Sequence, residues 1–171
     1  MSTTRRELMG VLAASGAMLV TSRSGEATPT SLDLDSLTKD TDLACLYHCD
    51  FGDPKRFSQM MQNMLNHYSA YDYDSMRLKL VVVAHGPGIK FFLEDRSGTP
   101  WENETIDPEL YKRFAGLAKY GTEAYLCQIT FKRMNIDPAK AKKDSFLKFV
   151  PSGVATVAEL QSKGFSYLKV G

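Results

Sequence analysis

From residue 43 onward the chain is punctuated by five short apolar runs: Leu43 to Cys49, Leu78 to Ala84, Glu123 to Ile129, Phe146 to Val150 and Phe165 to Val170. None alternates polar and apolar residues as a strand with one face in water does, so each reads as a strand covered on both faces. Covering both faces requires helices between successive strands, and helical signals occupy the gaps. Phe57, Met60, Met61, Met64, Leu65 and Tyr68 recur at offsets of three and four, which places one apolar stripe on a helix beginning near Pro54. At that spacing beside a strand, the methionines read as core rather than as a partner-binding groove.

Asp107 and Pro108 read as the N-cap and first position of another helix, with Leu110, Phe114 and Leu117 on its buried side and Gly121 as its stop. Ser152 or Thr156 caps a last helix, which runs through Val154, Val157 and Leu160 to Gly164. Strand and helix alternating in this way predict an α/β protein: a three-layer sandwich on a five-stranded parallel sheet with right-handed crossovers, occupying residues 43–171. There is no internal repeat.

Charge narrows the partners. Lys and Arg number 21 against 20 Asp and Glu, a net charge of +1, which offers no electrostatic attraction for nucleic acid or an anionic membrane. Three cysteines, Cys45, Cys49 and Cys127, are too few for a disulfide scaffold or a paired-CxxC zinc site.

The N-terminus reads as an export signal. Arg5 and Arg6 precede an apolar stretch, Leu8 to Val20, that falls short of the ~20 residues of a membrane span and is diluted by Gly10, Ser15 and Gly16. The arginine pair points to the twin-arginine route and a periplasmic destination without a stable membrane anchor. Gly25-Glu26-Ala27 offers small residues for cleavage, so residues 1–27 are the expected signal. The Thr/Ser/Asp-rich residues 28–42 are expected to be a disordered, solvated tether.

In a parallel sheet all carboxyl ends lie on one side, where open α/β folds bind ligands. Those ends read His48-Cys49-Asp50, His85-Gly86-Pro87-Gly88, Cys127-Gln128 and Pro151-Ser152-Gly153. Cys45 and Cys49, four residues apart, stand roughly 13 Å from each other along a strand and cannot pair within the ~7 Å Cα limit of a disulfide. Cys45 is a core residue by its neighbours Ala44 and Leu46, whereas Cys49 lies at the mouth.

Cys127 stands ahead of Gln128 to Arg133, which look like a helix opening with Thr130 as a possible cap. There the unpaired N–H groups and the positive end of the dipole favour thiolate. Lys132 and Arg133 then fall where cations mildly destabilise a helix start, a broken local rule that hints at function. The glycines of His85-Gly86-Pro87-Gly88 allow converging N–H groups to form an anion nest, although the turn matches neither phosphate-binding fingerprint. His85 either exchanges a proton with a nearby sulfur or is held by its own backbone. Alternation sends His48 and Asp50 to one face and Cys49 to the other, which argues against a metal site there. His67 is expected at the surface. Glu94 to Thr105, with Trp101, reads either as a loop over the mouth or as a solvated loop.

Through Tyr47-His48-Cys49-Asp50-Phe51-Gly52-Asp53-Pro54, Val83 to Lys90, Tyr125 to Thr130 and Val150 to Val154, the sequence resembles the DsrE/DsrF-like, or YchN-like, family of sulfur-relay proteins over about Leu43 to Gly171. That resemblance implies a flavodoxin-like α/β fold, a homo-oligomer such as a trimer or hexamer, no cofactor, and a cysteine that carries sulfane sulfur as a persulfide between a donor and an acceptor protein. Cys127 matches the carrier position. The resulting expectation is an exported carrier rather than a turnover enzyme. Cys127 and His85 are its chemical residues, and Gly86, Gly88, Lys132, Arg133, Cys49 and Ser152 lie around the bound anion. A redox disulfide between Cys49 and Cys127 is open only if their strands are neighbours. The alternative is a non-catalytic oligomeric module that binds a small anion or a partner protein. A hydrolase or metal enzyme ranks last, for want of G-x-S-x-G, H-E-x-x-H or an evident carboxylate pair.

Overall fold

The computed structural model describes residues 28–171, so the expected export signal lies outside the described residues. Six parallel strands form one sheet in the order β1-β5-β4-β3-β2-β6. They are β1 (Thr30–Ser31), β2 (Leu43–Cys49), β3 (Leu78–Ala84), β4 (Glu123–Cys127), β5 (Leu147–Val150) and β6 (Ser166–Leu168). The four α-helices are α1 (Pro54–Ser69), α2 (Pro108–Ala115), α3 (Gln128–Arg133) and α4 (Gly153–Ser162), and a 3-10 segment covers Gly86–Phe92. Among the described residues no helix is long and apolar enough to cross a membrane.

The extra strand comes from the stretch expected to be a tether. Thr30–Ser31 pairs with β5, Leu32 N–H donates to Phe149 O at 2.8 Å, and Leu37 is buried. Backbone pairing and one well-placed leucine hold this polar segment on the edge, neither of which its composition reveals. The strand order also departs from flavodoxin, whose first crossover steps outward before the chain returns to build the other half of the sheet. Here β2, β3, β4 and β5 succeed one another in one direction, and only β6 crosses back to sit beside β2.

That path decides where the helices lie. Right-handed crossovers moving in one direction place their helices on one face, and a reversal places the next helix on the other. Phe57, Met60, Met64 and Tyr68 of α1, Phe114 of α2 and Phe131 of α3 join one core with the Cys45, Tyr47 and Cys49 side of the sheet. Within it Phe57 stacks on Phe91 at 4.2 Å between centroids. Leu160 of α4 joins the opposite core with Leu37, Ala44, Leu46, Val81, Val83 and Tyr125.

Local signals hold where backbone chemistry is strong. Asp53 and Asp107 cap α1 and α2 by accepting from the N–H groups of Lys55 and Glu109, each at 2.9 Å. Gly164 follows α4 with positive φ as expected, whereas α2 ends at Ala115, short of the expected stop, and Gly121 closes a separate 3-10 turn over Ala118–Tyr120. Leu65 and Val154, expected on buried stripes, are exposed, because each lies at the margin of its helix's apolar arc. Trp101 is buried in the larger core, and Lys90, itself buried, pairs with Glu104, so the Glu94 to Thr105 loop is anchored rather than solvated.

Gly88 is required by the approach of the post-β3 turn to the end of β2. A Cβ at this position would lie 2.1 Å from the Cys49 carbonyl oxygen, and backbone cannot swing aside as a side chain can. Gly88→Ala is expected to destabilise the domain by at least about 3 kcal/mol, at the upper end of overpacking costs. The drop should appear in the urea midpoint and exceed that of Gly98→Ala, where nothing lies within 4 Å of the added Cβ and only the strain of a left-handed residue (φ 62°) is felt.

Candidate functional site

The sheet reversal places a topological switch point between β4 and β5. After β4 the chain passes to α3 on one face, and after β5 it passes to α4 on the other, so the two carboxyl ends diverge. Such a switch point is where open α/β sheets hold ligands. Cys127 ends β4 at this place, paired in register with Val150.

Alternation along β4 turns Cys127 to the same face as Tyr125, the α4 face. Ala84 is level with Leu126, and His85 continues in extended backbone (φ −151°, ψ 173°), so His85 and Cys127 occupy the next row on adjacent strands, about 4.8 Å apart. His85 follows Val83 in parity and therefore faces the same way. Gly153, the first residue of α4, roofs the row: a Cβ there would lie 2.9 Å from both Cβ and Cδ2 of His85. Ser152 caps this helix, its Oγ accepting from Ala155 N–H at 3.4 Å. One turn further, the buried Thr156 hydroxyl has no hydrogen-bond partner among the described residues.

A second histidine, on β2 and level with Val83, reaches His85 from below that row. His48 Nε2 lies 2.6 Å from His85 Nε2, and His48 Nδ1 lies 3.0 Å from the hydroxyl of Tyr167 on β6. Burial lowers the proton affinity of both rings; Asp50 opposes this at each, while His85 and Arg56 reinforce it at His48. Tyr167 escapes the sequence reading, and His48 enters it only as a metal candidate argued against, not as a partner of His85. Alternation does give the face of His48, but its contact with His85 needs the β2–β3 register. Tyr167 carries no sequence signal at all, because it reaches the site only through the final crossover.

Several expected members are elsewhere. Cys49 has 0 % exposure and lies in the core on the opposite face, where burial pushes its thiol pKa up. Strand β3 stands between β2 and β4, so Cys49 and Cys127 are not on neighbouring strands, and all three cysteines are free thiols. A disulfide between them is therefore excluded by the strand order. The glycine turn is not an open anion nest: Gly86 N–H donates to Thr130 Oγ1 at 3.0 Å and Gly88 N–H to His85 O at 3.1 Å. Thr130 thus serves the turn, and Cys127 itself is the N-cap residue of α3. Lys132 and Arg133 fall in the last turn of this six-residue helix, where cations suit the dipole, and both are exposed. His67, expected at the surface, is partly buried, with Nδ1 3.3 Å from the Tyr47 hydroxyl. Among the described residues no cluster of three or more His, Cys, Asp or Glu side chains suits a metal ion.

Residues 43–170 match the profile of the DsrE/DsrF-like family. The chain belongs to that family. A solved structure titled as a protein of unknown function, MTH1491, from Methanobacterium thermoautotrophicum, shares the fold of this DsrE/DsrF-like chain with a TM-score of 0.59 and 19% identity, over 75% of this chain and 99% of the other. No curated protein sequence matches. Membership carries a sulfur-relay role at the level of the family, and the matched span contains both the Cys127 row and the α4 roof.

The histidine pair gives this DsrE/DsrF-like domain a pH response of defined sign. His48, His67 and His85 are all held below the usual histidine range by burial, so the unfolded chain binds protons first as pH falls. Stability is full above a pH of about 6.5 and declines below it. The thermal midpoint should drop between about pH 7.5 and about pH 5.5, and His48→Gln with His85→Gln should flatten that slope.

Proposed function

We propose that this DsrE/DsrF-like protein accepts sulfane sulfur on Cys127 and passes it on as a persulfide, with His85 as the neighbouring proton-exchanging group. The observation that carries this reading is the position of Cys127: it ends β4 where the sheet reverses, on the strand next to His85, which itself lies beneath the start of α4. The Cys127 thiolate attacks the outer sulfur of a polysulfide or protein persulfide. A new S–S bond forms on Cys127, the donor's S–S bond breaks, and the shortened sulfur species leaves with the bonding electron pair as a thiolate. The donor supplies the oxidation level, so no further oxidant or reductant is required. Transfer to an acceptor thiolate is the same step in reverse.

Burial shapes how the carrier would work. Cys127 is only 4 % exposed, which shields a persulfide from adventitious thiols but also demands a partner that reaches into the mouth. Ile129 in α3 and Val154 at the start of α4 are exposed apolar residues on the elements that flank Cys127. They offer a surface for a donor, an acceptor or a second copy in a homo-oligomer. The Arg5-Arg6 signal would deliver the folded domain to the periplasm, where such an exchange would take place.

The same burial favours a second reading, in which Cys127 is packed and the domain is a non-catalytic module for a small anion or a partner protein. Exposure to inorganic polysulfide followed by intact and peptide mass spectrometry separates the two. Added sulfur on the Cys127 peptide, removed by dithiothreitol and lost in Cys127→Ser, is the expected result. An unlabelled Cys127 with unchanged partner binding in Cys127→Ser leaves the module reading.

A further inference from the structure

A buried thiol that must lose and regain a proton needs a path to water, and a series of hydrogen-bonded groups that ends at the surface begins at His85, on the strand adjacent to Cys127. We infer that His85, His48 and Tyr167 form a proton relay between Cys127 and solvent, with His48 and Tyr167 as positioning residues that orient His85. This rests on the reading of Cys127 as the sulfur acceptor and deepens it.

The relay spans three strands. His85 is level with Cys127 at the β3–β4 boundary, its Nε2 is 2.6 Å from His48 Nε2 at the end of β2, and His48 Nδ1 is 3.0 Å from the Tyr167 hydroxyl on β6. The rings of His48 and His85 are 4.8 Å apart between centroids. Tyr167 is 40 % exposed, so the far end of the series reaches water while the near end does not.

Hydrogen-bond chemistry constrains how the series operates. Two Nε2 atoms this close hold one proton between them, and a second would set N–H against N–H. When His85 Nε2 donates to His48 Nε2, His48 Nδ1–H donates to the Tyr167 oxygen and His85 Nδ1 is unprotonated. A proton taken from the Cys127 thiol onto His85 Nδ1 shifts the shared proton to His48 Nε2. His48 then releases its Nδ1 proton to the Tyr167 oxygen, and the hydroxyl proton passes to water. One proton enters and one leaves, both rings end neutral with their tautomers exchanged, and the reverse passage resets them. During transit the positive charge is spread over two imidazoles beside the forming thiolate, which offsets the burial of that anion.

Few other charges reach the series. Asp50, at the end of β2, acts on both rings, and Arg56 of α1 acts on His48 while both its Nε and Nη2 donate to Val170 O. The helix packed over His85 presents Gly153, which has no side chain to titrate.

The test is the pH profile of Cys127 alkylation by iodoacetamide in the full chain, read on the Cys127 peptide by mass spectrometry. Tyr167→Phe keeps the ring and removes only the hydroxyl. It should slow alkylation at about pH 7 by roughly three- to tenfold, because a His85 no longer oriented takes the thiol proton less well, with no change where hydroxide removes the proton directly. His48→Gln should do the same. Profiles of both variants that superimpose on the wild type overturn the relay. Should His48→Gln fail to fold, ring-nitrogen NMR of the unaltered protein decides: complementary tautomers that titrate as one unit are expected, and two independent titrations overturn the relay. Sulfur uptake is read separately. Polysulfide labelling of Cys127 with unaltered profiles removes the relay and leaves the carrier. Altered profiles without labelling keep the relay and remove the carrier.

Discussion

The parallel pairing of β2, β3 and β4 is the interaction on which the rest of this protein depends. Its ladder runs unbroken from Leu43↔Leu78 to Cys49↔Ala84, and from Val81↔Glu123 to Ala84↔Leu126. Because side chains alternate strictly along each strand, this register alone turns His48, His85 and Cys127 to one face and sends Cys45 and Cys49 to the other. A slip of one residue in any pair would bury a histidine among the phenylalanines packed around Phe57. The cost of a buried polar group without partners makes such a slip prohibitive.

The second constraint is the reversal after β5. Three successive crossovers in one direction pile α1, α2 and α3 on a single face, where the aromatic core accumulates. The fourth must travel back over the sheet, and its helix crosses the row of reactive side chains so closely that only glycine fits at its first position. The same return delivers β6, and with it Tyr167, to the far side of β2. One topological event thus parts the chain at the ends of β4 and β5 beside Cys127, roofs His85 and supplies the solvent end of the histidine series. The three cysteines are all buried but differ in position: two lie in the aromatic core, and one stands where the backbone diverges at the end of β4.

Much of the fold was legible in the chain. Strands β2, β3, β4 and β5 coincide with apolar runs because strands covered on both faces carry no polar alternation, and α1 and α2 begin where Asp-Pro pairs cap them. The missed elements are those whose stability is borrowed. Strand β1 is two residues long and polar, and it exists because β5 offers an unpaired edge. The site was legible in part: Cys127 and His85 were visible as reactive residues at strand ends. The anion nest expected from the glycines is not open, because the N–H groups of Gly86 and Gly88 are taken by Thr130 and by the His85 carbonyl, contacts that no local pattern encodes.

Local chemistry therefore determined the inventory: which segments are strands and helices, where caps and stops fall, and which side chains stand at carboxyl ends. These depend on residues a few positions apart, whose propensities and hydrogen bonds are written in adjacent letters. Only the tertiary structure decided strand order, and strand order decided that Cys49 and Cys127 never meet while His48, 37 positions before His85, touches it within 2.6 Å. The physical reason is that pairing between distant strands is chosen by the burial of whole faces and the hand of the crossovers. Those are properties of the assembled layers, and no single segment of the chain contains them.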